Sequence, residues 1–269
     1  MDFEDTRDEC DTQSADGYQP SYRKICSEGL VDRPHYGYIG YHAAALASEL
    51  GLSSVSLIEL GVATGNGLLS LERHSQRIED EIDVTVEIYG FDSGEGLPKP
   101  KDHRDLPYTW GEGDFDMDES QLRSTLGRSN LRIGDVAETI PKFVNENNHA
   151  PVGAVFVDLD YYSSTLVALE ELFNLSDLFV LPRVPMYFDD VALGFLTQYI
   201  PQIGARQAIK EFNADRTSEV IGKIQFSSAE QANTQIRPER LYSYHRFDHD
   251  EYTTHIGPRN KQIPFGGNE

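Results

Sequence analysis

Four aspartates carry the most chemistry in this 269-residue chain: Asp158 and Asp160, which follow Val157, and the pair Asp189-Asp190, which follows Phe188. Alternate side chains of an extended segment point the same way, so Asp158 and Asp160 present their carboxylates together. If a neighbouring strand brings Asp189 and Asp190 alongside, four negative charges meet and repel. A bound cation relieves that repulsion, and an all-oxygen donor set suits Mg²⁺, Mn²⁺ or Ca²⁺ rather than zinc. The alternative is helix capping: Asp160 for a helix entered through Ser163-Ser164-Thr165, Asp190 for the segment after it. One of the four is expected in that role, not all.

A second group surrounds a glycine-rich turn, Glu59-Leu60-Gly61-Val62-Ala63-Thr64-Gly65-Asn66-Gly67. Glycines let a backbone turn tightly and approach a ligand. The spacing is not the G-x-G-x-x-G that cradles a pyrophosphate. An acidic residue at the strand end suits a ligand with a cationic amino group and no phosphates. A plain strand-to-helix turn is the competing reading. Phe91-Asp92-Ser93 ends the next apolar run, where an acidic residue is placed for ribose hydroxyls or is simply solvated. Gly134-Asp135, after a third short run, is a candidate for an adenine edge and is also common turn chemistry.

The elements that must position these groups alternate. A helical stretch from Tyr41 to Leu50 stops at Gly51. Strands are predicted at 55–60, 84–91, 130–133, 154–157, 186–188, 220–226 and 241–247, and helices at 67–79, 137–145, 165–175 and 203–213. Nearly all-apolar strands separated by helices imply a Rossmann-like, doubly wound α/β fold. Its seven-stranded sheet is mainly parallel, with helices on both faces and an antiparallel pair at the C-terminal edge. The long stretch Asp92–Ser120 is rich in Gly, Pro, Asp and aromatics, as binding loops and lids are. Tyr108, Trp110 and Phe115, with Tyr36 and Tyr38, are candidates to close over a substrate or to pack loop on core. The organisation expected is an acidic tail over 1–20, an N-terminal helical and lid segment over 21–53, one domain over 54–250, and a tail over 251–269.

Composition narrows the class. The 45 acidic and 23 basic residues give a formal net charge of -22, which opposes a sequence-independent grip on nucleic acid or anionic lipid. No apolar run reaches the roughly 20 residues of a membrane span, and Met1–Asp16 lacks the basic and apolar regions of a signal peptide. A cytoplasmic protein with a small-molecule substrate, no nucleic-acid or membrane partner and a homo-oligomer as one option is expected. Cys10 and Cys26 are read as free thiols. His103, His149 and His249 are read as surface residues, while His35 and His42 are near enough to aromatics to line a pocket.

Taken in order, ELGVATGNG, YGFDSGEGLP, GEGDF, VFVDLDYYSSTLVAL, YFDD and GARQAIKEF resemble the macrocin- and novobiocin-type sugar O-methyltransferases, class I enzymes that use S-adenosylmethionine and Mg²⁺. The resemblance covers roughly Ser54 to Phe212. It implies that Asp158, Asp189 and Asp190 bind the metal and that Asp160 is the general base. It further implies that Glu59, Gly61, Ala63, Gly65, Asn66, Asp92, Ser93, Asp135 and Asp158 surround the cofactor. Leu159 stands where glycine is common in that family, and Gly94 where an aromatic is common. The segment NLSDLFVLPRVPM is longer than the usual turn. The expected activity is metal-dependent methylation of a hydroxyl on a small polar acceptor. A nucleotide-dependent oxidoreductase and an inactive methyltransferase-fold binding protein are the alternatives.

Overall fold

The computed structural model describes residues 20–192 and 200–257. The acidic N-terminal stretch, Cys10 and the chain beyond Gly257 lie outside them. The strands are β1 (Ser54–Leu60), β2 (Thr85–Asp92), β3 (Asn130–Ile133), β4 (Val152–Val157), β5 (Arg183–Phe188), β6 (Glu219–Lys223) and β7 (Leu241–Arg246). They form one sheet in the order β3-β2-β1-β4-β5-β7-β6. The first five are parallel, and β7 runs antiparallel between β5 and β6. β6 and β7 are joined by residues 224–240, which include the short helix α8 (Ser228–Ala232), and they close the sheet as its antiparallel edge.

The other helices are α1 (Tyr22–Ser27), α2 (Pro34–Glu49), α3 (Asn66–Glu79), α4 (Glu119–Thr125), α5 (Val136–Glu146), α6 (Tyr162–Leu172) and α7 (Gly204–Ala214). Right-handed crossovers place α3 on one face and α6 on the other, because the chain winds outward in opposite directions from β1 and from β4. One layer is α1, α2 and α3, and the second is α5, α6 and α7. In α2, Gly37, Gly40, Ala43, Ala44 and Ala47 are buried. These small side chains bring the helix close to the sheet, and Tyr36 stacks on Phe156 of β4 at 4.3 Å. Helix α2 is therefore a packed layer of the core. His149 and His249, expected at the surface, are buried instead: His149 stacks on Phe143 at 4.0 Å, and His249 Nε2 lies 3.0 Å from the Val180 carbonyl. No helix among the described residues is long and apolar enough to cross a membrane.

Register decides what emerges at the C-terminal edge. Leu60 lies opposite both Phe91 and Val157, and Val157 lies opposite Phe188. The residues that follow, Gly61, Asp92, Asp158 and Asp189, therefore leave the sheet side by side. The fit is tightest at Gly61, whose φ is +84°. A Cβ there would lie 1.8 Å from the Asp158 carbonyl oxygen. Gly61→Ala combines a backbone clash with a disfavoured φ and is expected to destabilise the fold by about 3 kcal/mol. Urea unfolding of the two proteins measures this, and an unchanged midpoint contradicts the packing described.

Candidate active site

A cavity of about 730 Å³ opens at this edge, walled by the first turn (Gly61–Ala63), the ends of β2, β3, β4 and β5, and the lid segment between Glu95 and Phe115. The crevice beyond the carboxyl ends of the strands, beside the point where strand order reverses, is where open α/β sheets bind ligands.

Of the residues singled out for a cofactor, Gly61, Ala63, Asp92, Ser93, Asp135 and Asp158 line this cavity; Glu59, Gly65 and Asn66 do not. Asp92 holds the turn itself: Oδ2 accepts from the Val62 and Ala63 amides at 2.8 and 2.9 Å, and Oδ1 from the Gly94 amide at 2.8 Å. One carboxylate thus fastens the first turn to the second. Ser93 donates to the Gly96 carbonyl. Asp135 caps α5 by accepting from the Ala137 amide at 2.8 Å. Asn66 reaches back to Thr64. Gly65 makes room for Leu122 of α4.

Glu59 lies below the turn, 2% exposed. Tyr36 donates to its Oε1 at 2.8 Å, Oε2 has no partner, and a Cβ at position 67 would strike Oε1 at 1.6 Å. Burial raises its carboxyl to about 8, partly opposed by the Tyr36 hydrogen bond.

The four aspartates of the sequence analysis do converge. One carboxylate oxygen from each of Asp158, Asp189 and Asp190 lies within 4.8 Å of the others. At that separation each like-charged pair costs on the order of 3 kcal/mol in a protein-like dielectric. Burial, then the Asp190 and Asp189 charges, lift Asp158 well above the usual carboxylate range. Burial, then Asp160, does the same for Asp190. Capping of α6 does not explain Asp160, and the segment that Asp190 was offered to cap runs into 193–199, outside the described residues. Helix α6 takes Tyr161 as its N-cap residue with no side-chain cap bond, and Asp190 Oδ2 accepts the Asp160 amide at 3.0 Å. Asp160 is held at φ +57°, the left-handed region, which aspartate tolerates better than most side chains. Burial, then the Asp158 charge, raises its carboxyl to about 7.

Sequence reasoning missed the groups that secure these carboxylates. Asp189 Oδ1 accepts from the Tyr187 hydroxyl at 2.6 Å and from Arg240, and Arg237 stands 3.5 Å away. Arg240 also donates to the Ala192 carbonyl at 2.8 Å. Both arginines precede β7, and no local spacing links them to Asp189. Asp105, fully buried, anchors the lid: it accepts from the Ser163 amide and hydroxyl at 2.8 and 2.9 Å and from the Lys101 amide at 2.8 Å. It therefore supplies from the lid the cap that α6 lacks. Arg104 adds bonds to Asp102, Tyr162 and Glu211. Trp110 and Phe115 line the cavity, packed edge to face at 5.5 Å. Tyr36, Tyr38 and Tyr108 do not line it: Tyr36 is spent on Glu59 and Phe156, and Tyr38 faces a separate groove.

Comparison with solved structures agrees with this architecture. The O-methyltransferase NovP superposes with a TM-score of 0.55 at 16% identity, over 83% of this chain and 88% of its own. The fold is the Rossmann-like fold of the methyltransferases. The calicheamicin methyltransferase CalS11 is 24% identical over 63% of this chain and 68% of its own, with a TM-score of 0.48. MycE of the mycinamycin pathway, solved in complex with Mg and SAH, is 16% identical over 87% of this chain and 56% of its own, with a TM-score of 0.45. No protein-family model and no curated protein sequence matches the chain.

Two outcomes follow. The raised Glu59 carboxyl means that the unfolded chain releases this proton first as pH rises. The glutamate therefore weakens the cofactor-free fold increasingly from about 4.5, its ordinary value, to about 8. Glu59→Gln should gain stability over the native protein across that window, with no difference below it; thermal melts at stepped pH read the gap, and a constant gap contradicts the burial described. Asp105→Ala removes the cap of α6 and the lid anchor together. The variant should lose about 2 kcal/mol, as other buried acceptors of several donors do, with amide exchange accelerating in the lid and at the start of α6.

Proposed function

We propose that this chain is an S-adenosylmethionine-dependent O-methyltransferase whose acceptor hydroxyl is activated at a carboxylate-bound divalent cation. The observation that carries the reading is the meeting of Asp158, Asp189 and Asp190 beside the glycine turn and next to a fourth carboxylate of raised pKa.

The residues present fit both groups. Three carboxylates that repel one another form a hard-oxygen donor set suited to Mg²⁺ or a similar ion. Tyr187 and Arg240 both occupy Asp189 Oδ1, so Oδ2 has no partner among the described residues and is the oxygen offered to a cation. The cavity is large enough for a nucleoside-sized ligand together with a small acceptor. Its floor at Gly61–Ala63 carries no bulky side chain. Asp92 keeps that floor in shape, and its second oxygen retains capacity for a ribose hydroxyl. Asp135, at the mouth of β3, borders the expected adenine side. Glu59 then acts from beneath the turn rather than from the cavity wall.

The cofactor supplies a methyl group already activated on a sulfonium, and a divalent ion lowers the pKa of a hydroxyl bound to it. The chain supplies the rest. Asp158, Asp189 and Asp190 hold the ion. Asp160, the carboxylate beside these three, accepts the hydroxyl proton. The lid, pinned through Asp105 and presenting Trp110 and Phe115, excludes water and positions the acceptor.

Calorimetric titration with S-adenosylmethionine or its demethylated product tests the cofactor half, and absence of binding removes the whole proposal. Titration with Mn²⁺ tests the metal half: Asp190→Asn should weaken binding by about tenfold or more, as loss of a ligand at a charged site does. Asp160→Asn should lower turnover by about 10²-fold or more while cofactor affinity holds. Turnover unaffected by chelation of the metal would remove the metal part alone.

A further inference from the structure

The wall of the cavity has a charge that the reaction does not require. Besides the three proposed metal ligands it includes Asp92, Glu95, Glu112, Asp135 and Asp160, against one cationic side chain, Lys101. Eight carboxylates to one ammonium is a far stronger bias than the 45 to 23 of the whole chain. The cavity wall is therefore more acidic than the chain average. A divalent ion and a singly positive cofactor offset about three of these charges. Arg237 and Arg240 act from behind Asp189 and are engaged with it. An excess of negative charge faces whatever enters last.

That excess is placed on the lid. Glu95 and Glu112 are exposed, and neither carboxylate has an ion pair or hydrogen bond among the described residues. The same lid segment carries Trp110, which lines the cavity edge to face with Phe115. Carboxylates and aromatic rings in one wall are the groups that recognise an ammonium. A phosphate or carboxylate on the acceptor would instead meet like charge.

Resting on the methyl-transfer reading above, we infer that the acceptor is a hydroxyl compound bearing a protonated amine, such as an amino sugar or a phenolic amine, and carrying no phosphate or carboxylate. Glu112 and Glu95 meet the ammonium, Trp110 and Phe115 supply the aromatic wall beside it, and the lid thereby selects by charge.

The test uses the full chain loaded with the demethylated cofactor and Mg²⁺, titrated with two matched series. One is glucosamine, glucose and glucose 1-phosphate; the other is tyramine, 4-ethylphenol and 4-hydroxyphenylacetate. The amine of at least one series should bind about threefold or more tighter than its neutral partner at low salt. The advantage should shrink in about 0.5 M salt, where screening acts over a few ångströms, and should fall in Glu112→Gln. The anionic members should bind weakest. Anionic members that bind as well as the amines, no charge ordering in either series, or no binding by any member would overturn the inference. Failure of the cofactor itself to bind is a separate result and overturns the methyl-transfer reading instead.

Discussion

The structure at the C-terminal edge depends on holding carboxylates together against their own repulsion. Asp158, Asp189 and Asp190 meet within 4.8 Å, an arrangement that free energy opposes unless something cationic or protic stands among them. The protein provides part of the compensation. Arg240 and Tyr187 take one oxygen of Asp189, and the Asp160 amide takes one of Asp190. These donors offset part of the repulsion among the three carboxylates.

The remaining parts of the site serve that edge. The sheet aligns Gly61, Asp92, Asp158 and Asp189 in one row. The absent side chain at Gly61 lets the first turn pass the Asp158 carbonyl, so the turn and the carboxylates share one cavity. Asp92 ties the first turn to the second. Asp105 ties the lid to α6. Each of the two is one acidic side chain receiving three donors, which makes the turn and the lid rigid parts of the wall.

Much of the fold was legible in the residues. The seven strands, their alternation with helices and the antiparallel edge follow from apolar runs, and the described strands match them to within a few residues; α2 begins seven residues before the expected Tyr41, and the short helices α1, α4 and α8 were not foreseen. The convergence of the four aspartates was legible too, because acidic residues ending two consecutive strands of a parallel sheet have one edge to occupy. The roles of single residues were less so. Asp92 has the place of a ribose ligand but spends three acceptor positions on backbone amides. Glu59 ends a strand, yet β1 is buried on all sides and carries it beneath the turn. His149 and His249 sit in polar sequence but are buried by contacts with residues distant in the chain.

The sequence by itself determined the class of fold and the edge at which the chemistry gathers, because both depend on local periodicity and on where strands end. Only the tertiary structure decided which carboxylates face the cavity, which are consumed by capping and clasping, and which arginines stand behind them. Arg240 and Asp189 are 51 residues apart, as are Asp105 and Ser163 at 58. Such pairings are set by how layers pack across the sheet, and no spacing along the chain encodes them.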